Sequence, residues 1–331
     1  MNAPALLRVE DLVVDYLNDA GRVRAVDGVS LSIAAGEAYG LCGESGSGKS
    51  SLALALGRLL APPAVISRGQ IWLKDVDLLA LAPGELRRVR GRQLGFVPQS
   101  AMNALNPLLT VEAQIADVLF AHESPRPSRK VAAARARELL AAVDLPEAVA
   151  TAYAHELSGG MRQRAVLAVA LAGKPSLLIL DEATGSLDVL VQQQLCQRLG
   201  ALIRTLGFAV LFISHDLPLT LALCQRVGIL YAGKLVEESD VAAFRRGPRH
   251  PYAQALLDCF LDPRRRRPGG PVGIAGDSPD PRAFPSGCRF HPRCPAAFDR
   301  CPREEPLFTP RRGAGNVKAA CHLPDIEGVA S

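Results

Sequence analysis

Three stretches of this 331-residue chain hold residues spaced for chemistry on a phosphate. In GESGSGKS, Gly43 to Ser50, the glycines let successive backbone N–H groups converge on an anion, and a helix N-terminus behind them adds partial positive charge. Gly43, Glu44, Ser45, Gly46, Ser47, Gly48 and Ser51 would shape the cradle. Lys49 would reach the β and γ phosphates, and the Ser50 hydroxyl would bind magnesium. In LLILDEA, Asp181 ends an apolar run where it would hold the magnesium shell, and Glu182 beside it would polarise a water for attack on the γ-phosphate. In LSGGMRQR, Ser158, Gly159 and Gly160 precede a helix and form a second anion-binding helix start. One nucleotide has no need of two such ends in one chain, so the second is expected to cap a nucleotide held by another subunit.

The elements that must position these residues follow from local pattern. Residues 37–60 read as a short apolar strand, a glycine-rich turn and a helix. Leu177 to Leu180 is a continuous apolar run, the mark of a strand buried on both faces of a parallel sheet. A composition of 48% hydrophobic and 21% charged residues is that of a globular protein and excludes a disordered or fibrous chain. The N-terminus places Arg8, Glu10 and Asp11 where a signal peptide needs an unbroken apolar core, so it reads as uncleaved and cytosolic. No apolar run is long enough to span a bilayer, so any membrane role is expected through a partner. Residues 241–331 hold 15 Lys+Arg against 9 Asp+Glu and 14 of the 25 prolines, which marks a change of structure near residue 240.

Further motifs stand in order around these. The sequence resembles the nucleotide-binding subunits of ABC transporters over about residues 6–240. Tyr16, in LVVDYLNDAGRVRAV, matches the aromatic that stacks on adenine. Gln99, in LGFVPQS, matches the glutamine that approaches magnesium and links to the transmembrane partner. Asp188, in GSLD, matches an aspartate across the dimer interface, and His215, in VLFISHD, matches the switch histidine that contacts the γ-phosphate. The chain departs from the family at Ala183, where proline is usual, in TGSLD, and at Met161, where glutamine is common.

The NALNP element, YAHELSGGMRQR and RHPYAQALL, Arg249 to Leu257, resemble the oligopeptide, dipeptide and nickel importer branch. Four cysteines in GCRFHPRCPAAFDRC and KAACHLP, Cys288, Cys294, Cys301 and Cys321, resemble the C-terminal module of that branch, some members of which are thought to carry a four-iron, four-sulfur cluster. A reducing cytosol disfavours disulfides. Zinc usually begins with a tighter cysteine clip, and looser spacing suits a cluster, so cluster, zinc and unligated thiols all stay open. Cys42, Cys196, Cys224 and Cys259 read as small buried hydrophobes. Arg264 to Arg267, without interleaved aromatics, reads as a solvated linker that could lie near anionic headgroups, and no nucleic acid is expected.

The resemblance implies an α/β P-loop ABC nucleotide-binding domain at 1–240. It would have an antiparallel β subdomain, a helical subdomain at about 100–175 and a Pro/Cys-rich extension at 241–331. It implies ATP and Mg2+, two transmembrane permeases, a second and non-identical ATP-binding subunit and, indirectly, an extracytoplasmic binding protein. The place of work would be the cytoplasmic face of the cell membrane, peripherally. The rival expectation is a soluble ABC-type ATPase acting on ribosomes or nucleic acid. In a second rival, the cysteine module senses redox state and gates the motor.

Overall fold

A computed structural model describes residues 5–18, 21–99, 103–185, 188–259, 274–311 and 316–324. The Arg264–Arg267 run and part of the GSLD motif lie outside the described residues. In chain order the elements begin with strands β1 (Ala5–Asn18), β2 (Gly21–Ala34) and β3 (Ala38–Cys42), helix α1 (Lys49–Leu56), and strands β4 (Ala64–Leu73) and β5 (Val76–Asp77). Then come α2 (Pro83–Val89), β6 (Leu94–Val97), α3 (Val111–His122), α4 (Arg129–Ala142), α5 (Gly159–Leu171), β7 (Leu177–Asp181), α6 (Val189–Leu206) and β8 (Ala209–Ile213). The chain continues through α7 (Leu217–Leu223), β9 (Arg226–Tyr231), β10 (Lys234–Asp240), α8 (Val241–Arg246), α9 (Pro251–Cys259), β11 (Phe308–Pro310) and β12 (Val317–Ala320).

The chain divides into two compact units. The first comprises residues 1–8, 32–38 and 71–214. Its strands β8, β7 and β6 are neighbours and parallel, with Val97 opposite Leu180 and Asp181 opposite Ile213. Every residue of β7 and β8 is buried, which explains why both read as unbroken apolar runs rather than alternating ones. Helices α3 and α4 bury Val111, Ile115 and Leu119, and Ala132, Ala136 and Leu140, each set at four-residue spacing. Side-chain caps fix where the helices begin: Thr110 accepts from the Ala113 N–H, Ser128 from Val131 and Ser158 from Met161.

The second unit comprises residues 9–31, 39–70 and 215–331. Five of its strands run in the order β11-β12-β10-β9-β3, and most of β2, β1 and β4, neighbours in that order in a separate antiparallel sheet, also fall in it. β3 pairs parallel with β9, placing Cys42 opposite Ile229, and β10 pairs antiparallel with β12, placing Glu237 opposite Ala319. One core joins Cys42 and Tyr231 to Phe244, Tyr252 and Phe290 of the C-terminal stretch. Helix α1 is shorter than the sequence suggests. It stops at Leu56, where Gly57 caps it and Arg58 turns the chain at φ 51°.

Cys42, Cys196 and Cys224 are buried as expected, and Cys42 donates its Sγ–H to Thr220 Oγ1 at 3.3 Å. Cys259 is a correction. It closes α9 on an exposed position and is no core residue.

Candidate functional site

The phosphate loop leaves the end of β3 and enters α1 at Gly48. Gly48 takes φ 103°, and a Cβ there would lie 2.2 Å from the Ala25 carbonyl oxygen, so only glycine lets the loop pass. Ser45 and Gly46 form an exposed tip, while Ser47 and Lys49 are buried. Lys49 Nζ donates to the carbonyls of Gly43 and Glu44, both at 2.9 Å, and to Ser47 Oγ at 3.4 Å. The ammonium is thus held inside the loop by oxygens that a phosphate would replace. Ser50 and Ser51 stand half-buried in the first turn of α1. Tyr16 shares a hydrogen bond of 3.0 Å with Ser51, which brings the expected aromatic to this helix start. His215 is exposed, just ahead of α7, whose cap is the Asp216 side chain.

In the first unit, Asp181 ends β7 and is 3% exposed. Glu182 follows with φ 47°, a left-handed conformation that costs a non-glycine residue about 1 to 2 kcal/mol. Two backbone hydrogen bonds hold it there, Glu182 N–H to Ile213 O at 2.9 Å and Gly185 N–H to Glu182 O at 3.1 Å. The turn lifts the Glu182 carboxylate toward Gln99, whose Nε2 donates to Oε2 at 3.0 Å. The structure therefore brings Gln99 and Glu182 together beside Asp181. Ala183, where the family commonly has proline, is buried.

Ser158 and Asp188 are not part of that group. Each caps its own helix, Ser158 accepting from Met161 N–H at 3.3 Å and Asp188 from Val191 N–H at 3.0 Å. Gly159 and Gly160 form the first turn of α5.

The four C-terminal cysteines are brought together. Cys288, Cys294, Cys301 and Cys321 line one cavity with His250, His291 and His322. The Cys288 N–H donates to the Cys301 carbonyl at 2.8 Å. The cavity measures about 10 Å³, the space of roughly one water, and is too small for a cubane of four irons and four sulfides. Among the described residues no group of three or more His, Cys, Asp or Glu is arranged to hold a metal ion. Burial pushes the Cys288 thiol up to about 11 and those of Cys294 and Cys321 upward. As packed here, these residues do not fit the expected cluster. A larger cavity nearby, about 310 Å³, is lined by charges that bond one another, with Lys234 Nζ 3.2 Å from Asp27 and 2.6 Å from Glu305.

Residues that sequence reasoning passed over also reach the loop. The Tyr252 hydroxyl accepts from the Glu44 N–H, and Arg293 binds the Glu44 carboxylate. Both lie inside motifs noted for their resemblance, RHPYAQALL and GCRFHPRC. Neither motif signals a partner more than 200 residues away.

A glycine-shaped phosphate loop behind a buried strand, an acidic pair ending another buried strand and a serine-capped LSGG helix define an ATP-binding cassette of the P-loop class. Residues 26–185 match the ABC transporter family and residues 236–301 match the oligopeptide/dipeptide transporter C-terminal region. The chain is 38% identical over 323 residues to the dipeptide transport ATP-binding protein DppD of Caldanaerobacter subterraneus, covering 96% of this chain and 97% of that one. It is 40% identical over 310 residues to the probable peptide ABC transporter ATP-binding protein y4tR of Sinorhizobium fredii, covering 93% and 92%. Among solved structures, the dimeric post-hydrolysis state of the ATP-binding cassette MJ0796, bound to ADP and Pi, superposes with a TM-score of 0.65 at 28% identity, over 71% of this chain and 98% of that one. The chain belongs to the ABC transporter family, as an ATP-binding subunit that carries the oligopeptide/dipeptide C-terminal region. It has the α/β ABC cassette fold, and its activity is ATP hydrolysis coupled to transport, with nucleotide and magnesium as the family's general requirements.

Proposed function

We propose that this subunit energises the import of peptides, or a related solute, across the cytoplasmic membrane. One observation carries the reading: a complete phosphate loop and the oligopeptide/dipeptide C-terminal region stand on one chain, and relatives that align with nearly all of it are named as dipeptide or peptide transport ATP-binding proteins. A ribosome- or nucleic-acid-directed ATPase is not favoured by that likeness.

In this reading Lys49 leaves the Gly43 and Glu44 carbonyls for the phosphate oxygens, and the loop amides hold the chain of phosphates. Ser50, Asp181 and Gln99 would hold magnesium, which when bound neutralises phosphate charge. Glu182 takes the proton of the attacking water, held ready by Gln99, and His215 contacts the γ-phosphate. Tyr16 stacks on the base. Ser158, Gly159, Gly160 and Asp188 serve a nucleotide on a second ATP-binding subunit, non-identical to this one, which supplies the same to this chain.

Two permeases would receive the stroke through the Gln99 region, and a binding protein outside would deliver the solute. Among the described residues no helix is long and apolar enough to cross a membrane, which suits peripheral attachment at the cytoplasmic face. We keep 1–240 as the ATP-binding domain, with a helical subdomain at about 100–175, and 241–331 as the extension. The iron–sulfur cluster stands as a proposal supported by four cysteines lining one cavity, and it requires that cavity to open.

The test is reconstitution of the subunit with its permeases and partner ATPase in vesicles, with a peptide-loaded binding protein inside. Peptide-stimulated ATP hydrolysis that disappears in Glu182→Gln is expected. Full hydrolysis with no response to any peptide would overturn the solute class. Iron and sulfide analysis of anaerobically purified protein decides the cysteine module separately.

A further inference from the structure

Glu44, the second residue of the phosphate loop, has all its polar groups engaged. Its carbonyl accepts from Lys49 Nζ at 2.9 Å, and its N–H donates to the Tyr252 hydroxyl at 2.8 Å. Its carboxylate takes a two-pronged contact from Arg293, Nη1 to Oε2 at 2.7 Å and Nη2 to Oε1 at 3.0 Å. The Ser278 hydroxyl donates to Oε2 at 3.0 Å. Three of these four partners come from the C-terminal stretch, and all of them lie in the second compact unit.

The partners are themselves fixed. Arg293 is 7% exposed at its side chain, and its Nε donates to the Ala275 carbonyl at 2.9 Å. Its planar fork matches a carboxylate in a way no single ammonium does. Tyr252 is fully buried, its ring centroid 4.5 Å from that of Tyr231 and 5.4 Å from that of Phe290. It cannot withdraw without opening the core. The Glu44 N–H is therefore spent on the protein, and the orientation of its peptide is dictated by the C-terminal stretch.

We propose that Arg293 and Tyr252 are positioning residues for ATP binding in the hydrolytic cycle. By pinning the Glu44 peptide they fix the carbonyl on which Lys49 rests and the angle at which the loop meets the phosphates. When Lys49 moves to the nucleotide, a pinned loop keeps its shape, whereas an unpinned one must be reordered at the cost of binding. Both are proposed to act through Glu44.

The inference rests on the ATPase reading, and steady-state ATP hydrolysis by the full complex tests it in variants of this subunit. Arg293→Met and Glu44→Gln are each expected to raise KM for ATP about tenfold with kcat within about twofold, the pattern of lost binding geometry after removal of a charge-assisted hydrogen bond. The double variant should be no worse than the poorer single one, since both remove one interaction. Arg293→Lys should recover part of the loss. Tyr252→Phe, which removes one neutral hydrogen bond, should raise KM about threefold.

A purely structural role would lower the yield of active protein and leave KM unchanged. Unchanged KM in folded Arg293→Met, or additive effects in the double variant, overturns the proposal. If Arg293→Met does not fold, Glu44→Gln and Tyr252→Phe carry the test, and an unchanged KM in both overturns it. Absence of hydrolysis by the unsubstituted complex would instead remove the ATPase reading itself.

Discussion

Two helices of this chain start on glycine-rich turns, and they satisfy those starts differently. α1 begins at Gly48, at φ 103°, with no side-chain cap. α5 begins at Ser158, at φ −62°, whose hydroxyl accepts the Met161 N–H. At the first start a shaped backbone stands where a cap would be, and an anion completes it. The second start is complete by itself, because a neutral oxygen already occupies the place of a ligand atom. In the proposed reading the first start is completed by this chain's own nucleotide, and the second, already capped, meets the nucleotide of a neighbouring subunit.

The largest expected effect isolates chemistry from both helix starts. Glu182→Gln should lower kcat by about 10²- to 10⁴-fold while ATP still binds, as filter binding would show, because only the proton acceptor is lost. If binding fails as well, the glutamate belongs to the loop's architecture and not to the chemical step. Lys49→Ala strikes the first start and should cost about 10²- to 10³-fold in hydrolysis, the scale for removing one donor to a developing charge. Its thermal unfolding without nucleotide should stay near that of the unsubstituted chain.

A smaller effect separates capping from catalysis. Ser158→Ala and Ser128→Ala each remove a serine cap, from α5 and α4, and each should cost about 1 kcal/mol in denaturant unfolding. Only Ser158→Ala should also lower ATP hydrolysis, by at least about tenfold, if its helix start meets a nucleotide. Equal activity in the two variants would break the comparison. The smallest effect belongs to Asp188→Asn. Asparagine caps as well as aspartate, so stability should change by less than about 0.5 kcal/mol, and a severalfold loss of activity would then report the missing charge.

The loop and the acidic strand end were legible in the sequence because their signals are local. GESGSGKS needs its glycines for backbone reasons alone, and LLILD and AVLFI show their double burial as unbroken apolar runs. The helix caps Thr110, Ser128, Ser158, Asp188 and Asp216 are residue types that favour such positions. What sequence did not show depends on distant pairing. Composition marks a change near residue 240, yet nothing in it reveals that β12 joins β10 or that Phe290 packs on Tyr231, 5.2 Å between ring centroids. The Arg293–Glu44 contact spans 249 positions and has no periodic signature. The cysteine spacing did suggest that four thiols share one place, and they do. Spacing carries no information about how much room remains between them, which is why the cluster expectation met a nearly closed cavity.

Glu237 links the strand β10 to the turn that opens α9. It is fully buried, with Oε2 accepting from the N–H groups of Arg249 at 2.8 Å and His250 at 2.6 Å, while Oε1 has no partner among the described residues. Burial pushes its carboxyl up from the ordinary 4.5 to about 7, against the opposing pull of those amides and of the Arg249 and Arg311 charges. The folded chain therefore keeps this proton over a pH range in which the unfolded chain has released it. Stability contributed here is fully present below about 4.5 and declines as pH rises to about 7, by an amount on the order of 3 kcal/mol at most. The buried His250 imidazole, pushed down to about 3, has the opposite slope below about 6.5, so the Glu237 contribution is read as the difference in denaturant unfolding between the unsubstituted chain and Glu237→Gln, which should shrink as pH rises from about 4.5 to about 7. The junction that carries the C-terminal stretch is in this sense a proton-binding joint, where the folded chain keeps a carboxylic proton that the unfolded chain has released.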